Sequence, residues 1–341
     1  MADSDLYALP VRSLRPGDAL ACLPACPVCA GERAVPRFEV PGSPLRLVVC
    51  TACGTGRLHP FPDADALRAF YPGEYYGEPG RKFRGLIERL VRLVGARHIG
   101  FLSRSLRPGA RVLDVGCGRG VILGPLADRG FEVHGVEIHA EATAGADPRA
   151  KIRIAPSLAD AHFDSECFDE IVVWHVLEHL ADPRATLAEA HRILRPGGRL
   201  IVAVPNFASL QARWSGPAWF HLDLPRHLFH FPVSALRRLV GETGFDVESE
   251  HHFSLRQNPF GWIQSALNRR AAFPRNALYE LLHRHAPAAQ SPPFDAATRL
   301  RLWLWLVLLS PPALVASLAE TCLQSGATVH LVATRSAQRS T

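Results

Sequence analysis

The run Trp174-His175-Val176-Leu177-Glu178-His179 gathers the densest acid–base chemistry in the chain. His175 stands three residues before Glu178 and four before His179, so on a helical turn the three would share a face. A histidine titrates close to the working pH, which suits His175 to removing a proton from an acceptor hydroxyl or carbon acid. A structural reading stands beside that one, in which Glu178 and His179 cap and orient the turn. Downstream, Trp214 to Phe231 is unusually dense in aromatics and histidines. Aromatic walls with a few polar groups suit a small-molecule pocket. Arg226 could clamp a phosphate or carboxylate there, and His227 is a second candidate base. The alternative is an ordered surface loop packed on the sheet by its Trp and Phe residues.

Four cysteines carry a separate chemistry. Cys26-x2-Cys29 and Cys50-x2-Cys53 are twenty residues apart, the spacing of a two-knuckle zinc ribbon, with Pro27 and Gly54 in keeping with tight knuckle turns. Four thiolates close a tetrahedral site, so the ion is expected to be structural, holding together a piece too small to bury its own core. Zinc is expected, and iron in a rubredoxin-like site is the rival. Cys22, Cys117, Cys167 and Cys322 read as ordinary buried or half-buried thiols.

A third constellation is Val112 to Gly120, VLDVGCGRG. Its glycines permit a sharp strand-to-helix turn and a close approach of backbone to ligand. A dinucleotide fingerprint would need glycine at Val121 or at Leu123, so that reading fails, and an oxidoreductase is disfavoured with it. Glu137 closes a second β-rich run, VHGVEI, where an acid normally accepts hydrogen bonds from ribose hydroxyls.

These groups require a scaffold. From Arg111 onward β-rich runs alternate with helical stretches, the pattern of a parallel sheet covered on both faces. Strands are expected at 111–115, 132–138, 151–154, 169–174, 199–204, 245–253 and 328–334. Helices are expected at 185–194, closed by Arg195-Pro-Gly-Gly, and at 233–243. The fold class is therefore α/β, a doubly wound and mostly parallel seven-stranded sheet with a small N-terminal cysteine module and a helical insertion near the C-terminus. Along the chain this gives a loose arm over 1–21, the module at 22–60 and a linker with a lead-in helix at 61–106. The main domain follows at 107–253, a partly apolar helical insertion at 254–325, and the last strand and tail at 326–341. Ligands of such sheets gather beyond the carboxyl ends of the strands, so Trp174 should face the cofactor. Tyr71, Tyr75 and Tyr76 are candidates for a lid or for plain packing.

With the glycine turn and its acidic partner in place, residues 97–253 and the last strand resemble the class I methyltransferase superfamily, particularly its ubiquinone-type O-methyltransferase branch. The resemblance implies S-adenosylmethionine as cofactor, its methionine part along Asp114, Gly116, Gly118 and Gly120 and its ribose on Glu137. The adenine would lie by Ser157 and Leu158, although many relatives have Asp where Ser157 stands. It also implies a divalent-cation site at His175, Glu178 and His179, where relatives carry an acidic first residue. Histidine there weakens a magnesium reading, since hard cations prefer oxygen. N-terminal zinc modules occur on similar sugar C-methyltransferases, so the acceptor is expected to be a small molecule, a saccharide or a lipid-like compound, methylated on O, C or N. A different class of reading is a zinc-ribbon interaction protein whose methyltransferase-like domain binds cofactor without catalysis.

The formal charge of +6 comes almost wholly from scattered arginines, with Lys only at 82 and 151, so no nucleic-acid partner is expected. A start without a secretory signal points to a cytoplasmic protein. Leu302 to Ala319 is an uncharged run of eighteen residues with Pro311-Pro312 in its middle. It reads as a bent helical pair, either capping the domain or touching the inner face of a membrane peripherally.

Overall fold

The computed structural model describes residues 11–14, 23–40, 42–70, 98–282 and 294–336. Cys22, the three tyrosines and most of the lead-in helix lie outside them. The strands are β1 (Arg12–Ser13), β2 (Ala34–Glu39), β3 (Arg46–Cys50), β4 (Gly56–His59), β5 (Arg111–Val115), β6 (Glu132–Glu137), β7 (Lys151–Ile154), β8 (Phe168–Trp174), β9 (Leu194–Pro205), β10 (Phe229–His230), β11 (Phe245–His251) and β12 (Thr328–Arg335). The helices are α1 (Ala64–Ala69), α2 (Leu123–Ala127), α3 (Pro183–Ile193), α4 (Leu210–Ser215), α5 (Val233–Glu242), α6 (Asn258–Asn268), α7 (Ala277–Leu282) and α8 (Ala296–Cys322). The chain divides into two compact units. One holds 1–88, 205–235 and 252–329, and the other holds 89–204, 236–251 and 330–341.

The second unit is the expected α/β body. Its seven strands run in the order β11-β12-β9-β8-β5-β6-β7. Neighbours from β7 through β9 pair in parallel, and β12 runs antiparallel to β11. Buried on both faces, the central strands read as continuous apolar runs, such as Ile171-Val172-Val173 and Leu200 to Val204. Helix α3 starts where Asp182 Oδ1 accepts the Ala185 N–H at 2.8 Å with Pro183 in its first turn. It ends at Ile193, and the Arg195-Pro-Gly-Gly segment expected to close it lies within β9.

The first unit is built around a five-stranded sheet ordered β1-β2-β3-β4-β10. Its strands pair antiparallel throughout, with Ala34 opposite Cys50 and Phe229 opposite Arg57. The N-terminal arm thus contributes an edge strand, and the aromatic segment 214–231, read above as a pocket wall or an ordered loop, contributes β10. The stretch 254–325, expected to be a helical insertion, contains three helices among the described residues. Ile263, Leu267, Leu278, Leu282 and Leu302 form their shared core. The expectation of a bent pair over 302–319 is corrected: α8 is one helix with Pro311 and Pro312 inside it. Each proline removes one helical N–H, which a long helix carries on an exposed face, and both prolines are exposed.

Candidate cofactor and catalytic site

The glycine turn leaves β5 at the carboxyl edge of the sheet. Gly116 and Cys117 both donate their N–H groups to Val136 O, at 2.8 and 3.1 Å, which pins the turn to the end of β6. Gly116 has φ +69°, and a Cβ there would come within 2.5 Å of Val176 Cγ2. Glycine is demanded twice over, by backbone conformation and by close approach. Gly118 also has positive φ, but a Cβ there would meet nothing within 4 Å among the described residues, which leaves open space over the middle of the turn among them. The Gly118 N–H donates to Glu137 Oε2 at 2.9 Å, and the Ile138 N–H donates to Oε1 at 2.7 Å. The structure therefore joins the turn and the acid at the end of the second parallel strand through a hydrogen bond.

Asp114, buried beneath the turn, has its carboxyl pushed up to about 8, first by burial and then by the charge of Glu137. The Glu137 carboxylate against the turn favours a ligand that brings hydroxyl donors, and a cation brought near would favour ionisation of Asp114. The sulfonium, ammonium and ribose groups of S-adenosylmethionine meet that requirement, and the uncluttered face over Gly118 admits them. Leu158 is buried. The Ser157 hydroxyl donates to Asp160 Oδ2 at 2.6 Å. Gly120 also takes positive φ, with its N–H donating to Cys117 O at 2.9 Å.

At the tip of β8, His175 has φ +54°, a left-handed conformation uncommon for a residue with a side chain. Its N–H donates to Ala203 O at 2.9 Å, holding it to β9. Nδ1 donates to Glu178 Oε1 at 3.2 Å, and Glu178 is only 1% exposed. With Nδ1 as the donor, the neutral ring carries its lone pair on Nε2, which has no partner among the described residues. Backbone strain at such a place is a pointer to function. Among the described residues, Glu178 and His179 both belong to a group of three ligand atoms within 4.8 Å of one another, and His175 does not. Trp174 lies between the tilted rings of His98, at 3.7 Å between ring centroids, and His330, at 4.5 Å. Neither histidine was legible as a site neighbour, since they come from segments 76 residues before and 156 residues after it.

In the other unit, Arg226 donates to Asp223 Oδ1 at 2.6 Å, so its charge is already answered within the loop. His227 donates Nδ1–H to His221 O at 2.9 Å, with Asp223 Oδ2 at 3.8 Å from Nε2. Arg275, which sequence reasoning passed over, donates to Pro217 O at 2.8 Å and Trp219 O at 2.9 Å. Burial pushes its guanidinium down to about 10. It fixes the aromatic loop from beneath, a contact no local sequence pattern announces.

The cysteine module forms two superposable knuckles. Cys26 and Cys50 donate their N–H groups to Gly31 O and Thr55 O, each at 2.9 Å. Ala30 and Gly54 donate back to Cys26 O and Cys50 O, and both take positive φ, +58° and +75°. The Sγ atoms of Cys26 and Cys53 lie 3.6 Å apart, as do those of Cys29 and Cys50. All four sulfurs fall within 4.8 Å of one another. A tetrahedron of sulfurs at about 2.3 Å from a central ion has edges of about 3.8 Å, so the set fits zinc, and it is far from the ~2.05 Å of a disulfide. Burial pushes the Cys26, Cys29 and Cys53 thiols up. Burial acts upward on Cys50 as well, but N–H groups of Cys53 and Ala52 outweigh it and bring that thiol down to about 7.

Comparison with known proteins agrees with this geometry. Residues 86–250 match the family model described as a methyltransferase domain. A ubiquinone biosynthesis O-methyltransferase of Azorhizobium caulinodans is 38% identical over 128 residues, 34% of this chain and 49% of that protein. Its counterpart in Maricaulis maris is 29% identical over 188 residues, 50% of this chain and 73% of that protein. The match thus spans about half the length of the first relative. Among solved structures, phosphoethanolamine N-methyltransferase 2 of Haemonchus contortus, in complex with phosphomonomethylethanolamine and S-adenosylhomocysteine, is similar. It has a TM-score of 0.48 and 17% identity, over 82% of this chain and 62% of that one. The TehB-like S-adenosylmethionine-dependent methyltransferase of Corynebacterium glutamicum gives 0.37 and 22%, over 48% and 84%. With the sheet, the glycine turn and the family match in agreement, the segment 86–250 belongs to the class I S-adenosylmethionine-dependent methyltransferase superfamily.

Proposed function

We propose that the chain transfers a methyl group from S-adenosylmethionine to a small-molecule, saccharide or lipid-like acceptor. The observation that carries this reading is the glycine turn hydrogen-bonded to Glu137 at the open edge of the sheet, with the His175–Glu178 pair on the same edge. When bound, the cofactor supplies an activated methyl group on a sulfonium. Asp114, Gly116, Gly118, Gly120 and Glu137 hold it, with Ser157, Leu158, Asp160 and Trp174 placed toward its remaining parts. Alignment is the main contribution asked of the protein, since the donor is already reactive. His175 is the general base: Glu178 holds Nδ1–H, and Nε2 takes the proton from the acceptor's attacking atom. Glu178 then stabilises the imidazolium that forms. His227, the other candidate base, has its Nδ1 committed to a backbone carbonyl and is assigned a positioning role. The four cysteines hold a structural zinc ion, and the protein acts in the cytoplasm.

Transfer of labelled methyl from the cofactor into fractionated cell metabolites tests the reading. His175→Ala should cut turnover by at least about a hundredfold, within the usual worth of a general base. Cofactor affinity measured by calorimetry should stay within a few-fold. Wild-type protein that binds the cofactor tightly yet labels nothing would replace catalysis with a binding role. A loss in His227→Ala equal to that in His175→Ala would move the base.

A further inference from the structure

The helix α8 carries apolar residues on two faces, and only one of them is used. Leu302 and Ala313 pack against Ile263, Leu267 and Leu278. The opposite face shows Leu300, Trp303, Leu304, Val307, Leu308 and Val315 to solvent, with Val307 72% and Leu300 61% exposed. Positions 300, 303/304, 307/308, 311, 314/315 and 318 fall on one helical stripe. Half-exposed side chains of this number present on the order of 600 Å² of contiguous apolar surface, the upper end of what a soluble monomer leaves open. By length and composition α8 is the one helix among the described residues that could cross a membrane. It does not need to cross: α6 and α7 pack against one flank, and five residues after its last turn the chain enters β12 of the seven-stranded sheet. Both ends are retained on the protein's side.

Two features choose the occupant. The stripe contains no acidic residue from Ala296 to Ala319, while Arg299 and Arg301 stand on its first turns and Arg269 and Arg270 end α6. The Arg270 guanidinium lies 4.2 Å from the Trp305 ring centroid, an arginine–tryptophan pair of the kind that suits a membrane–water boundary. In addition, Val307 O and Leu308 O meet Pro311 and Pro312 four residues on, so no helical N–H reaches them. A dry helix–helix contact would bury these carbonyls, whereas the hydrated headgroup layer solvates them. We propose that α8 lies flat on an anionic lipid surface, with its apolar stripe in the acyl boundary and its arginines over the headgroups. This docking stands independently of the methyl-transfer reading.

The test is cosedimentation of the full chain with phosphatidylcholine vesicles, with and without phosphatidylglycerol. Wild type should partition onto anionic vesicles, and raising the salt should weaken binding several-fold. Leu304→Glu with Val307→Glu should lower partitioning by at least about tenfold while the circular-dichroism melt is unchanged. Arg299→Glu with Arg301→Glu should remove only the preference for anionic lipid. Wild type left in the supernatant, or a Leu304/Val307 pair that binds as wild type does, overturns the proposal. So does a concentration-dependent dimer in vesicle-free buffer that the same pair dissolves, since a second copy would then cover the stripe.

Discussion

Gly116→Ala isolates the close approach that shapes the cofactor turn. At φ +69° an alanine costs about 1 kcal/mol for the left-handed backbone. Its Cβ also falls 2.5 Å from Val176 Cγ2 and 2.9 Å from Cγ1, an overlap of a kind that costs about 1–3 kcal/mol. Val176 is only half-buried and can yield somewhat, so the total should come to about 2–3 kcal/mol. Gly118→Ala shares the backbone cost but meets nothing within 4 Å among the described residues, so it should lose about 1 kcal/mol of stability while filling space above the turn. The two variants should therefore separate. Gly116→Ala lowers the urea midpoint more, and Gly118→Ala loses proportionately more S-adenosylmethionine affinity by calorimetry. Adding Val176→Ala to Gly116→Ala removes the overlap, and a double-mutant cycle should return a favourable coupling of about 1–2 kcal/mol. Equal midpoints for the two glycine variants, or a coupling near zero, would refute the claim that Val176 is what demands glycine at 116.

Other outcomes follow from the same geometry. Ala30→Gly should stabilise the cysteine module by roughly 0.5–1 kcal/mol, because Ala30 sits at φ +58° where the matching knuckle has Gly54. Calorimetric or fluorescence melts would show it. Metal analysis should find one zinc per chain, and a chelator or Cys53→Ser should release it together with protease protection of residues 23–59. Asp114 has a folded-state pKa of about 8 against an ordinary value of 3.8, so its protonated form favours folding. Stability from this group is full below about pH 4 and is lost as pH climbs toward about 8. Asp114→Asn should flatten that fall in urea midpoints, though only in part, since burial pushes Glu170 up to about 8 as well.

The α/β body was legible because its signals are local. β-rich runs alternating with helical stretches marked every strand of the large sheet, and Asp114, Gly116, Gly118 and Glu137 lie within one strand–turn–helix–strand unit. The cysteine spacing was legible for the same reason. What the sequence withheld depends on distant partners. Two residues of β10 add to β4 from a region whose composition suggested only a loop. Trp174 is flanked by His98 and His330, and the Ser157 hydroxyl is held by Asp160. Helix α8 defeated a breaker rule. Pro311 and Pro312 fall on the exposed face, where losing two helical hydrogen bonds leaves carbonyls open to solvent instead of stranding them in the core.

The pairing of β4 with β10 also sets a timetable for synthesis. All four cysteines have emerged by residue 53, so the metal can bind early. Yet the edge of β4, where the Leu58 N–H donates to Leu228 O at 3.1 Å, has to wait for a stretch made some 170 residues later. At 5–20 residues per second that interval is roughly ten to thirty seconds. A nascent chain would spend it with a metal-clamped hairpin offering a bare strand edge to solvent. Chaperone occupancy of stalled chains ending before residue 228, compared with chains extended beyond β10, should record that exposure and its closure.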